Sequence, residues 1–344
     1  MNKPLSLCIL RLSAIGDVCH TLAVVQAIQR QYPDAEIDWI IGKTEASLMK
    51  EIPNVTLIPY DKKSGWKGIV TLWKQLAHKR FDFLLNMQTA FRASILSLGI
   101  SAKQKIGFNR DRAREGQWLF TNQKVEQCSS PHVLDGQMMF AKAIGVQDLT
   151  PQWSLPISQA DLSYAAQFID PNRKTVVIAP CSSKTEKDWL PERYADVANF
   201  LIAKDIQVII CGSPSAYEME AAHKIQQLAL NSLNIAGKTT LKQLAAVIRQ
   251  ADLVLSSDSG PAHIATTQHT PVIGLYAIHN PRRTGPYQDL DKVISVYDEA
   301  VLTDYGRTWE QLPWATKAKG KEWMKLIQVE QVKQKVIECL GITR

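Results

Sequence analysis

Short apolar runs alternate with amphipathic stretches along most of this chain. The first run, Leu5-Ser6-Leu7-Cys8-Ile9-Leu10, is strand-length. The polar turn Ser13-Ala14-Ile15-Gly16-Asp17 follows, then a helical pattern over 18–31 that Pro33 ends. Strands are expected at 36–41, 55–58 and 81–85, with helices at 46–51 and 66–78 between them. Such strand-helix alternation predicts a parallel sheet covered by helices. The pattern lapses over 150–172, where Pro151, Pro156 and Pro171 punctuate it. It restarts with strands expected at 175–179, 207–211, 232–235, 253–255 and 272–276, and an amphipathic helix closes the chain at 329–340. Two successive doubly wound α/β domains are expected, with a cleft between the carboxyl ends of their strands.

The length of 344 residues fits that division. Apolar residues make up 45% and charged residues 21%, an ordinary globular balance. The net charge of +7 points to an anionic partner: nucleic acid, a phosphorylated metabolite or a lipid surface. The six cysteines form no C-x-x-C pair, which argues against a zinc or thioredoxin motif and fits a reduced, cytoplasmic setting. The first ten residues lack the pattern of a signal peptide, and no run of 18 apolar residues exists. Any membrane contact is therefore expected to be peripheral.

Three turns after strands carry candidate chemistry. Ser257-Asp258-Ser259-Gly260-Pro261-Ala262-His263 joins strand to helix, and free amides at such a helix start suit a phosphate. A polar cluster that only caps the helix reads equally well. Asp17 can be a general base at the mouth of a cleft or the cap of its own helix. Pro180-Cys181-Ser182-Ser183-Lys184-Thr185-Glu186-Lys187-Asp188 offers Lys184 or Lys187 to a diphosphate. Gly212-Ser213-Pro214 opens a helix bearing Glu218 and Glu220, either of which can bind ribose hydroxyls.

Basic loops in the first half carry Lys62, Lys63, Lys67, Arg92, Arg110, Arg112 and Arg114, interleaved with Trp66, Phe91, Phe108 and Trp118. A nucleic-acid groove, a bidentate grip on carboxylates or phosphates, and a solvated loop all fit. No recognised nucleic-acid module supports the first. A metal site is not expected: the histidines are dispersed, and Asp289-Leu290-Asp291 reads as turn chemistry. G-x-G-x-x-G, Walker and G-x-S-x-G motifs are absent.

Taken together, the chain resembles glycosyltransferase family 9, the ADP-heptose:lipopolysaccharide heptosyltransferases. Arg11-Leu12-Ser13-Ala14-Ile15-Gly16-Asp17-Val18 with His20-Thr21, Lys187-Asp188-Trp189-Leu190-Pro191 and Ser257-Asp258-Ser259-Gly260-Pro261-Ala262-His263 carry the match, with Thr270-Pro271-Val272-Ile273-Gly274-Leu275-Tyr276 behind them. Arg112-Ala113-Arg114-Glu115 and His132 look most like the heptosyltransferase I branch.

The resemblance implies a GT-B fold of two Rossmann-like domains facing each other across a cleft. An acceptor domain would cover 1–155, a linker 156–172, and a nucleotide-sugar domain 173–325, with the helix of 326–344 returning to the first domain. It implies inverting, metal-independent transfer of heptose from ADP-heptose to the Kdo or heptose inner core of lipopolysaccharide, with no cofactor. The enzyme would work on the cytoplasmic face of the inner membrane. Asp17 would be the base. Ser182, Ser183, Lys187, Glu218 or Glu220, Asp258, Ser259, Gly260 and His263 would meet the donor. Gly16, Lys62, Lys63, Arg112, Arg114 and His132 would meet a lipid-linked acceptor. The lysines at 62 and 63, where that branch often carries arginine, lack its bidentate geometry. Another sugar or acceptor on the same fold is the nearest rival, and a non-catalytic nucleic-acid-binding protein the more distant one.

Overall fold

The computed structural model describes residues 3–320 and 322–343. The chain forms two units, 1–156 and 157–344.

The first unit runs β1 (Ser6–Leu10), α1 (Ile15–Gln31), β2 (Glu36–Gly42), α2 (Lys43–Leu48), β3 (Val55–Tyr60), α3 (Gly65–Leu76), β4 (Phe81–Asn86), α4 (Phe91–Leu98), β5 (Ala102–Gly107), β6 (Gln123–Lys124) and α5 (Val133–Ala143). All six strands are parallel, in the order β3-β2-β1-β4-β5-β6. The central strand β1 is apolar because helices cover both its faces: Leu7, Cys8, Ile9 and Leu10 are fully buried. The strand β5 was not apparent in the apolar pattern. Its sequence, Ala-Lys-Gln-Lys-Ile-Gly, exposes Lys103 and Gln104 near the sheet margin, so only its last residues are buried.

The second unit runs α6 (Gln159–Ala166), β7 (Thr175–Ala179), α7 (Pro191–Ile202), β8 (Gln207–Ile210), α8 (Ala216–Leu228), β9 (Leu233–Asn234), α9 (Leu241–Arg249), β10 (Leu253–Ser257), α10 (Gly260–Gln268), β11 (Val272–Tyr276), α11 (Pro281–Thr284), β12 (Ile294–Ser295), α12 (Tyr297–Tyr305) and α13 (Val329–Leu340). Its sheet order, β12-β11-β10-β7-β8-β9, repeats the first with the same central position for the leading strand. Its core joins Val176, Ile178, Val208, Ile210, Leu253 and Leu255 to the inner faces of α7 and α8.

Two boundaries differ from expectation. The stretch 156–172, expected as a linker, holds α6, which packs on α9 and belongs to the second unit. Ser158 caps it, accepting from Asp161 N, and Tyr164 Oη donates to Lys238 O at 2.6 Å. The closing helix α13 was expected on the first unit. Its apolar stripe of Val332, Val336 and Leu340 packs into the second unit's core, against α7. The Trp189 indole N–H fixes the approach to that helix by donating to Ile327 O at 3.1 Å.

Candidate active site

In each unit the candidate residues sit in segments that follow the carboxyl ends of the parallel strands, the edge where open parallel sheets bind ligands, with Asp17, Lys187 and Asp258 after central strands. The amino-end edge of the first sheet holds a cavity of about 1580 Å³. Two of its three lysines are paired, Lys79 with Asp38 and Lys103 with Asp82, and Lys3 is exposed.

In the first unit, β1 delivers the chain to Asp17 in the opening turn of α1. Its Oδ2 accepts from Ala14 N at 3.2 Å and pairs with Arg11. The guanidinium of Arg11 also donates to Met87 O, so it is pinned beyond β4. Asp17 retains 30% side-chain exposure while Arg11 retains 9%. An acid in the first helical turn is where the macrodipole favours negative charge. The carboxylate therefore closes the turn and still stays partly open to solvent. Gln88 steadies the loop, its Oε1 accepting from Leu12 N and Ser13 N at 3.0 and 3.2 Å. Gly16 is buried beside Asp17.

The expected acceptor residues divide. Lys63 and Arg114 are exposed, and Lys62 is half-buried with Nζ 3.3 Å from Glu45 Oε1. Arg112 does not stand open to a ligand. It is 5% exposed, and its guanidinium donates to His132 O at 2.9 Å and to Ser130 O. A Cβ on Gly136 would overlap that guanidinium, so glycine makes its seat. His132 is likewise buried; its Nδ1 accepts from Leu134 N at 3.1 Å as the cap of α5, and its ring meets the His20 ring edge-on at 5.3 Å. Both residues brace the 130–136 turn.

In the second unit, the turn after β10 carries Asp258, Ser259 and Gly260 into α10, with Pro261 in the first turn. No side chain caps this helix start. Asp258 is buried, and its carboxylate is engaged by side chains and not by the α10 amides. Its Oδ2 accepts from His279 Nδ1 at 2.6 Å and lies 3.3 Å from Lys187 Nζ, which also donates to Asp258 O. Burial alone would raise the Asp258 carboxyl. The His279 hydrogen bond and the charges of Lys187, His279 and His263 outweigh it and hold the group at about 2. Lys187, 8% exposed, is thus fixed beside the open helix start, while Lys184 is exposed. His263 is buried within α10, and Ser259 Oγ lies 3.1 Å from Ser256 Oγ.

Ser182 organises its own loop: its N–H donates to Asp188 Oδ1 at 2.7 Å and its hydroxyl to Lys184 O at 2.7 Å. Ser183 is exposed. Glu218 lies at the carboxyl edge, accepting from Ser213 N at 2.7 Å and Ser213 Oγ at 2.6 Å. Glu220, two positions further along α8, is exposed. The geometry therefore separates the two acids: Glu218 is the one tied to the strand end.

Three groups at this edge were missed. His279 follows β11 in Ala277-Ile278-His279-Asn280-Pro281, the same strand-end position that marked the other turns. Tyr217 donates to Asp188 Oδ2 at 2.8 Å, while burial raises the Asp188 carboxyl against that bond. Lys317 arrives from far along the sequence: it bridges to His279 as Ala318 N donates to Ile278 O at 3.0 Å. Burial, then the charges of Lys184, Arg283 and Lys187, lower its pKa. No local motif could have placed it there.

The Asp258 shift carries a pH prediction. A depressed folded value stabilises the protein above the unfolded value and is lost as pH falls toward 2. The drop from 3.8 to about 2 represents roughly 2–3 kcal/mol. Urea midpoints measured between pH 6 and pH 3 should fall more steeply for wild type than for Asp258→Asn. Parallel curves would remove Asp258 from this role.

The comparisons with known proteins follow the same lines. The model of glycosyltransferase family 9 (heptosyltransferase) matches residues 69–315. A Haemophilus influenzae protein named lipopolysaccharide core heptosyltransferase OpsX is 63% identical over 332 residues, 96% of either chain. A solved family 9 glycosyl transferase from Veillonella parvula superposes with a TM-score of 0.79 at 21% identity, covering 98% of this chain and 97% of that one. The Escherichia coli heptosyltransferase WaaC, solved with ADP, gives 0.76 at 19% identity, covering 97% and 100%. The structural likenesses show the fold, the GT-B class of paired doubly wound units. Family model and close relative together place the chain in glycosyltransferase family 9, the heptosyltransferases, and make it a glycosyltransferase.

Proposed function

We propose that this enzyme transfers heptose from ADP-L-glycero-D-manno-heptose to the Kdo or heptose inner core of lipopolysaccharide, with inversion and without a required metal. The observation that carries the reading is Lys187, held by Asp258 beside the uncapped start of α10. A buried ammonium and free helix amides suit a diphosphate whose charge grows as it leaves. The 63% identical relative, a lipopolysaccharide core heptosyltransferase by name, supports the lipopolysaccharide core as acceptor. The WaaC structure, solved with ADP, supports ADP as the nucleotide.

In the proposed step, the Asp17 carboxylate takes the proton from an acceptor hydroxyl. That oxygen forms the new bond to the anomeric carbon from the face opposite the diphosphate. The bond from carbon to diphosphate oxygen breaks, and its electron pair leaves with ADP. Lys187 and the α10 amides receive that charge, Glu218 holds the ribose, and Lys62, Lys63 and Arg114 hold acceptor anions. The work is placed at the cytoplasmic face of the inner membrane. No helix among the described residues is long and apolar enough to cross a membrane.

Incubating the protein with ADP-heptose and a heptose-free core acceptor tests the reading. Release of ADP with growth of the acceptor by one heptose, in the presence of chelator, is expected. Hydrolysis without transfer, or transfer only from another nucleotide sugar, overturns it.

A further inference from the structure

The first unit gathers most of its exposed large apolar side chains in one region. Trp66 is 61% exposed, Phe91 54%, Trp118 50% and Leu119 77%, and among its described residues only Leu98, at the far end of α4, is comparably open. Hydrogen bonds and ring contacts join them into one surface. The Trp66 ring meets Trp73 at 5.6 Å, and Trp73 Nε1 donates to Leu96 O at 3.0 Å. Arg92 Nη1 donates to Lys62 O at 2.6 Å. Phe91 N donates to Glu115 Oε2 at 2.5 Å, and the Phe91 and Phe120 rings lie 6.1 Å apart. The segments concerned follow β3, β4 and β5, so the surface lies at the same edge of the sheet as Asp17.

Cations are interleaved with the aromatics. Lys63, Lys67, Arg92, Arg110 and Arg114 are exposed there. The carboxylates present are Asp61, Asp111 and Glu115, each already accepting a local hydrogen bond. Soluble proteins seldom leave a contiguous apolar patch uncovered. Arginine and aromatics also suit a protein interface, but the lysines do not, and the excess of cations over carboxylates favours an anionic surface. Tryptophan and phenylalanine set among lysine and arginine match the headgroup zone of a bilayer, where the rings enter and the cations meet lipid phosphates.

We propose that the α3, α4 and 109–120 surface docks on an anionic phospholipid bilayer. The inference deepens the acceptor reading above and rests on it in one respect: a lipid-borne acceptor would then be presented to the edge that carries Asp17.

Sedimentation of the full chain with vesicles tests it. Binding to vesicles of phosphatidylglycerol with phosphatidylethanolamine, weakening with salt, is expected to exceed binding to phosphatidylcholine vesicles at least tenfold. The pair Trp66→Ser with Trp118→Ser, and separately Lys67→Glu with Arg110→Glu, should each lower binding by about tenfold or more. Circular dichroism and ADP-dependent thermal shift should match wild type, which shows the variants fold. Equal wild-type binding to both vesicle types, or variants that bind like wild type, overturns the proposal. So does self-association lost in the same variants without any vesicle binding. The tryptophan variants should keep full transfer to a deacylated, water-soluble core acceptor. Vesicle binding by a wild type that transfers no heptose would sink the reaction and leave the docking surface standing.

Discussion

Asp17→Asn lowers turnover by about 10²- to 10⁴-fold, the usual scale for loss of a general base. The amide keeps the volume of the side chain and can still accept from Ala14 N, so the start of α1 survives. It loses the charge that pairs with Arg11 and the capacity to take a proton. ADP affinity should not change, because every group assigned to the nucleotide lies in the second unit. Single-turnover kinetics with calorimetry separate the two quantities. Turnover near that of wild type would falsify the base assignment. Weakened ADP binding would show that the substitution acts through structure instead.

Lys187→Ala has two separable effects. The nucleotide loses a charge-assisted contact, so ADP affinity should fall by about 10- to 100-fold. Asp258 keeps its buried charge with His279 but without the ammonium, so the loss should fall short of the roughly 3–5 kcal/mol that follows when a buried charge is left wholly unpaired. Neither partner is more than 10% exposed, so solvent screening does little to soften that cost. The double variant Lys187→Ala with Asp258→Asn distinguishes the effects. It should recover most of the urea midpoint while ADP affinity stays low. Full recovery of affinity in the double variant would mean that Lys187 acts only by holding Asp258.

The parts of this molecule legible in sequence share one physical origin. Strands β7, β10 and β11 are buried on both faces, so their apolar runs could mean little else. Asp17, Lys187 and Asp258 stood out because each follows such a strand, and the fold places strand ends at its working edge. β5 was hidden because a strand near a sheet margin carries lysine and glutamine on its open face. Arg112 was misplaced because burial cannot be read from a lone arginine in a polar loop. The carbonyls of Ser130 and His132 that satisfy it come from 18 and 20 residues further on. Lys317 escaped for the same reason, since a tertiary crossing puts it next to His279. The amphipathic stripe of α13 tells that a helix packs, and nothing about where; its expected place came from the resemblance alone.

The shared strand order has a consequence for how the polypeptide is made. In each unit the earliest strand to leave the ribosome, β1 or β7, takes the middle of the sheet and later pairs on both sides, β1 with β2 and β4, β7 with β8 and β10. Each nascent layer can therefore grow outward from a template already laid down. All six strands of the leading sheet come from residues 6–124, so it can close while the second unit is still being translated.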